Sequence, residues 1–116
     1  MTLAEIVFEK KKLYQRYGVE GYVAGRYVEA GYNVTMKFAT PKGAVSFVAR
    51  RGQELLAVDV LNGSVRVTKE HVDTIAEKAS SIGAKPVLAL YGSGPRLGED
   101  AKKAASEKGV ALRRFR

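Results

Sequence analysis

A mixed β-sheet flanked by helices, α/β or α+β in class, is what this sequence predicts, and three observations carry that prediction. Residues 32–38 alternate apolar and polar side chains, the period of a strand with one buried face. Two further apolar runs, AVSFVARR and ELLAVDV, are separated only by a short Gly-Gln connection, the spacing of a hairpin. Segments of helical periodicity lie before and after these strands, and most are closed by a glycine.

Thr2 and Glu5 stand at capping-box spacing, and Leu3, Ile6, Val7, Leu13 and Tyr14 fall roughly on one side of a helix reaching about residue 16, where Gly18 ends it. A second helix is predicted over 19–30, with Val23, Tyr27 and Ala30 sharing a face and Gly31 closing it. After the strand at 32–38 comes a Pro-Lys-Gly turn at 41–43, and then the hairpin. Asn62-Gly63 is a strong two-residue turn, so SVRV is expected to extend the hairpin into an antiparallel meander. Thr68 suits the N-cap of a helix from residue 69 to about 81, and Val72, Ile75, Ala76 and Ala79 would face inward. PVLALYG reads as a core strand, 99–108 as a short helix stopped by Gly109, and VALRRF as a last strand. With 116 residues, the chain is expected to form one domain, 1–116, with a helical N-terminal segment over about 2–16.

Twenty Lys and Arg against 12 Asp and Glu give a formal charge of +8, which attracts polyanions and makes nucleic acid the leading partner class. There is no cysteine and a single histidine, which removes disulfides, thiolate zinc and cysteine nucleophiles. No cofactor or metal is expected. No apolar run approaches the roughly 20 residues of a membrane span, so no membrane partner is expected and the compartment expected is the cytoplasm.

Several motifs fail on their spacing. Gly92, Gly94 and Gly98 lie between a strand and a helix, but three residues separate the last two glycines where a dinucleotide fingerprint has two. His71 has no cysteine or second histidine to join it and reads as a lone surface residue.

The order helix, three-stranded meander, helix, strand resembles the restriction-endonuclease-like fold. Resolvase-like nucleases of that fold carry a PD-(D/E)xK signature, and that pattern laid on AVSFVARRGQELLAVDVLNG puts Ser46 at the first acid, Asp59 at the second and Leu61 at the lysine. One group of three remains, which is too few ligands for a catalytic magnesium. The catalytic domain of tRNA-splicing endonucleases is similar over about residues 20–116, in RYVEAGYNVTMKF and SFVARRGQELLAV. That resemblance implies metal-free RNA cleavage by a tyrosine, a histidine and a lysine. Lys85 fills the lysine position, whereas Ala49 and Gln53 stand near the tyrosine and histidine positions and cannot move a proton at neutral pH.

The chain therefore looks like the non-catalytic, structural subunit of a heterotetrameric, archaeal-type tRNA-splicing endonuclease. The partners this implies are a catalytic subunit, two copies with two, and precursor tRNA. The same resemblance implies partner contacts through Glu99 and Asp100 and through Val110, Leu112 and Phe115 on the last strand. Lys85, Arg50, Arg51, Arg113 and Arg114 are the RNA-binding candidates, with no catalytic residue assigned. The alternative is a degenerate Holliday-junction-resolvase-like DNA-binding protein.

Overall fold

The computed structural model describes all 116 residues. Two helices come first, α1 (Leu3–Tyr17) and α2 (Val19–Glu29). Thr2 opens α1 with a reciprocal capping box: its hydroxyl accepts from the Glu5 amide and the Glu5 carboxylate accepts from the Thr2 amide. The helices cross so closely that a Cβ on Gly21 would lie 1.9 Å from the carbonyl oxygen of Leu13. Only glycine permits that approach.

Three antiparallel strands follow, β1 (Asn33–Thr40), β2 (Gly43–Arg51) and β3 (Glu54–Leu61). Then come a two-residue strand β4 (Arg66–Val67), helix α3 (Lys69–Ser81), strand β5 (Lys85–Tyr91), a two-residue β6 (Arg96–Leu97), helix α4 (Glu99–Lys108) and β7 (Ala111–Phe115). The main sheet runs β1-β2-β3-β5-β7, with β5 parallel to β3 and β7 parallel to β5. β7 is therefore a sheet edge, as is β1.

The expected meander stops at three strands. β3 already carries β2 on one side and β5 on the other, from Leu56↔Lys85 to Leu61↔Leu90, so no edge is left for SVRV. Arg66 and Val67 instead pair in parallel with Arg96 and Leu97 as a separate two-stranded sheet. Gly94 serves that junction, because a Cβ there would meet the Gly63 carbonyl oxygen at 2.3 Å. Gly94 in the glycine-rich loop thus has a packing role.

Period-two alternation divides the sheet between two cores, with one break at Ser46, where Val45 and Phe47 enter opposite cores. Phe47, Ala49, Leu56, Val58, Val87, Ala89 and Phe115 face α2 and α1. Val45, Val48, Ala57, Leu88 and Leu90 face α3 and α4. His71 is also structural. Its Nδ1 accepts from the Thr68 amide at 3.0 Å and completes a capping box at the start of α3. No helix is long and apolar enough to cross a membrane.

Candidate nucleic-acid interface

β2 and β3 pair from Arg51↔Glu54 to Phe47↔Val58 and then part. Side chains take over the backbone bonding beyond that point. The Ser46 amide donates to Asp59 Oδ1 at 3.0 Å, and the Val60 amide donates to Ser46 Oγ at 3.1 Å. The Ser46 hydroxyl in turn donates to Glu20 Oε2 on α2 at 2.8 Å, and Lys37 pairs with the same carboxylate. Lys37 is held at φ 52, the one non-glycine residue in the left-handed region.

Asp59 and Leu61, the expected second acid and lysine positions, lie on the other face. Asp59 pairs with Lys78 of α3 at 3.2 Å, and Leu61 packs on the α3 core. The residues of β3 that share the α2 face with Ser46 are Val58 and Val60. Catalytic magnesium needs carboxylates converging from one side. Here one serine, two valines and a glutamate already neutralised by lysine do not fit the ion, and no three His, Asp or Glu side chains gather as a metal set.

A cleft of about 530 Å³ opens at the opposite end of the α2 face, over the N-terminal ends of β3, β5 and β7. It exists because α2 stops at Glu29 while the strand ends project beyond it. Its apolar lining comes from Leu56, Pro86, Val87 and Ala111, and its aromatic lining from Tyr27, Tyr32 and Phe115. Arg26, Arg51, Lys85 and Arg113 reach it against one carboxylate, Glu54. That excess of positive charge in a concave site concentrates anions.

Glu54 organises the cleft. It accepts from the Tyr32 hydroxyl, faces Arg51 at 3.5 Å and stands 3.9 Å from the Lys85 ammonium. The hydrogen bond to Glu54, aided by burial, pushes the Tyr32 phenol above the ordinary tyrosine range, so it remains a protonated donor at neutral pH. Arg51 lies over the Tyr32 ring, 4.4 Å from its centroid, and donates to the Ala30 carbonyl at 2.9 Å. Arg26 stands over Phe115. Arg113 takes part in no ion pair and is the cleft's free cation. Lys85 is 75% exposed and its long contact to Glu54 leaves it available.

The structure thus brings Lys85, Arg51 and Arg113 together and separates them from the other two RNA-binding candidates. Arg114 alternates to the far face, where its guanidinium donates to the carbonyls of Gly92 and Pro95. Arg50 alternates the same way and is exposed. Ala49 is fully buried beneath α2, and Gln53 lies in the hairpin turn.

The residues expected to make partner contacts lie in two places. Val110 and Phe115 are buried in the chain's own two cores and Leu112 packs on one of them, so β7 offers its backbone edge instead of those side chains. Glu99 and Asp100 occupy the exposed first turn of α4, where a negative charge favours the helix. Sequence reasoning missed Arg26 and Glu54, and Tyr32, one of several tyrosines able to stack on bases but read as core or core edge, lies in the turn between α2 and β1.

No protein family's sequence profile matches this chain, and no curated protein matches it in sequence. Solved structures do resemble it. A protein of unknown function, AF1548, superposes with a TM-score of 0.65 at 17% identity, over 79% of this chain and 54% of that one. A repair endonuclease from Pyrococcus abyssi gives 0.63 at 16% identity, over 92% and 45%. EndoMS, solved in a complex with double-stranded DNA, gives 0.61 at 16% identity, over 92% and 43%. The chain spans about half the length of these structures. Five strands in the order β1-β2-β3-β5-β7, helices on both faces and these likenesses make the fold restriction-endonuclease-like.

Proposed function

We propose that this chain binds nucleic acid without cutting it and works beside a catalytic partner, as the structural subunit of a tRNA-splicing endonuclease does. One observation carries the reading. Lys85 stands in a cleft with three arginines and a single carboxylate, while Ala49 is a buried methyl and Gln53 a turn amide. The cleft can attract and hold a phosphate backbone, but it lacks a histidine to shuttle protons near neutral pH. The unpaired edge of β7 suits strand addition by the partner subunit, and precursor tRNA would lie across the cations of the cleft.

A second reading, a degenerate resolvase-like protein binding DNA, is favoured by the likeness to a repair endonuclease and to EndoMS in its DNA complex. The two are separated by titrating the purified chain with an intron-containing precursor tRNA and a four-way DNA junction at matched salt. We expect tighter binding of the tRNA, no cleavage of either by this chain alone, and a log–log salt slope that falls by about one for Lys85→Ala. Tighter junction binding would favour the second reading. Cleavage by this chain alone that Lys85→Ala abolishes would overturn the non-catalytic assignment.

A further inference from the structure

We infer that the outer face of α1 joins two copies of this chain, the two helices lying antiparallel across a two-fold axis near Phe8. None of the residues involved lines the cleft, and α1 precedes the stretch that resembles the splicing endonucleases.

α1 is apolar on two sides. Ile6, Leu13 and Tyr17 pack in the core shared with α2. Leu3, Val7, Phe8 and Tyr14 turn to solvent, each more than half exposed, and with Met1 they are the large apolar side chains that the chain leaves uncovered. A helix apolar on both sides belongs between two layers, and α2 supplies only one of them. An apolar patch this concentrated marks an interaction surface. The five side chains present on the order of 100 Å² apiece, since a fully exposed aromatic offers about 150–250 Å². Two such faces together would bury about 1,000 Å², and the stems of Lys10, Lys11 and Lys12 bring the total to the low end of a standard interface, about 1,200 Å².

The pattern along the face selects a second copy as its occupant. At about 100° per residue, Leu3 and Tyr14 lie on one flank, Ala4 and Lys11 along the middle, and Glu5, Phe8 and Lys12 on the other flank. Antiparallel pairing about Phe8 sets Phe8 against the partner's Phe8 and Leu3 against the partner's Tyr14. It also sets Glu5 against the partner's Lys12, twice, and lays each Lys11 stem over the partner's Ala4, which is small enough to admit it. Both charged groups are free to respond. Glu5 uses only Oε1 on the Thr2 amide, and Lys12 has no ion pair within its own chain, only the face of Phe8 at 5.5 Å. Parallel pairing would bring Glu5 to Glu5 and Lys12 to Lys12, and like charge opposes it. Closed two-fold pairing of one patch with itself is also the commonest way a soluble chain oligomerises.

Sedimentation equilibrium of the full chain across about 1–300 µM, a range that brackets a micromolar Kd, reads the assembly. The salt is set near 0.15 M, where a Debye length of about 8 Å weakens the repulsion between two chains of charge +8. We expect a dimer. Phe8→Glu, which sets two unpaired carboxylates at the axis, should weaken it at least about a hundredfold. Lys12→Glu should weaken it about tenfold by facing acid with acid at both ends. Adding Glu5→Lys to Lys12→Glu should recover most of that loss, because both pairs return with their signs exchanged. Phe8, Lys12 and Glu5 are exposed, so circular dichroism should show every variant folded. Should Phe8→Glu fail to fold, the charge exchange carries the test.

A monomer throughout the range would overturn the inference, and so would a dimer that Phe8→Glu leaves intact. Loss of the dimer in Lys12→Glu with no recovery in the double variant would exclude the antiparallel arrangement and sink it as well. A monomer that sediments with vesicles of phosphatidylserine and phosphatidylcholine, and ceases to with Phe8→Glu, would assign the face to a lipid surface instead. None of these outcomes bears on the nucleic-acid reading above.

Discussion

Gly21→Ala tests the tightest contact in the molecule. The added methyl would stand 1.9 Å from the Leu13 carbonyl oxygen and 2.4 Å from its carbon, where ordinary contact begins at 3.4 Å. The obstruction is backbone, so no rotamer change relieves it, and α1 must back away by about 1.5 Å to restore normal contact. Leu13, the buried residue of α1, would lose part of its packing against α2. Overpacking of this kind costs about 1–3 kcal/mol, and the methyl returns about 1 kcal/mol through better helix propensity. A net loss of up to about 2 kcal/mol follows, or up to about 10 °C in melting temperature for a chain of this size. Gly25→Ala is the matched control. Its methyl meets Lys10 Cγ at 3.2 Å, a contact that a shift of a few tenths of an ångström relieves, so it should cost clearly less than Gly21→Ala. Thermal unfolding followed by far-ultraviolet circular dichroism compares the two. Gly21→Ala melting at or above the parent temperature would show that α1 does not lie where Gly21 places it.

Two further substitutions probe the polar groups. Ser46→Ala strips a partner from both the Val60 amide and Glu20, and should lower unfolding free energy by about 1–3 kcal/mol in urea titrations without altering nucleic-acid affinity. Asp73 is held below the ordinary carboxylate range, first by the hydrogen bond from Lys69 and then by that from Lys108. Because its folded pKa is depressed, its contribution is in place above the unfolded carboxylate pKa and is lost as pH falls through the folded value. Urea midpoints of the parent and Asp73→Asn should therefore differ at neutral pH and converge in acid. A gap that persists at the acid end would assign the effect to something other than this carboxylate's charge.

Local signals were legible in the sequence because each is written within a few residues. The capping box at Thr2 and Glu5, the N-cap at Thr68, the period-two strands and the hairpin at Gly52-Gln53 all stand in the structure. His71, which reads as a lone surface residue, proves to be a cap: it sits three residues after Thr68, at the spacing of a capping box, with an imidazole nitrogen in place of a carboxylate. The β4–β6 pair was not legible, since two-residue strands have no period and their partners are thirty residues apart.

The site was hardest to read, and the reason is register. Its side chains come from α2, β2, β3, β5 and β7, so nothing local marks them as neighbours. Adjacent residues that look like one basic patch, Arg50 with Arg51 and Arg113 with Arg114, are sent to opposite faces by the pleat. A break in the alternation of β2, with Val45 and Phe47 in opposite cores, turns Ser46 toward Glu20 while Asp59 keeps to the face of Lys78. A slip of one position exchanges the two faces of a strand. A signature laid on β2 and β3 by spacing alone therefore leaves open which face each match occupies. In this chain the face that Ser46 shares with Glu20 carries valines at 58 and 60, so an acid at position 59 could not complete a metal site even if Ser46 were aspartate.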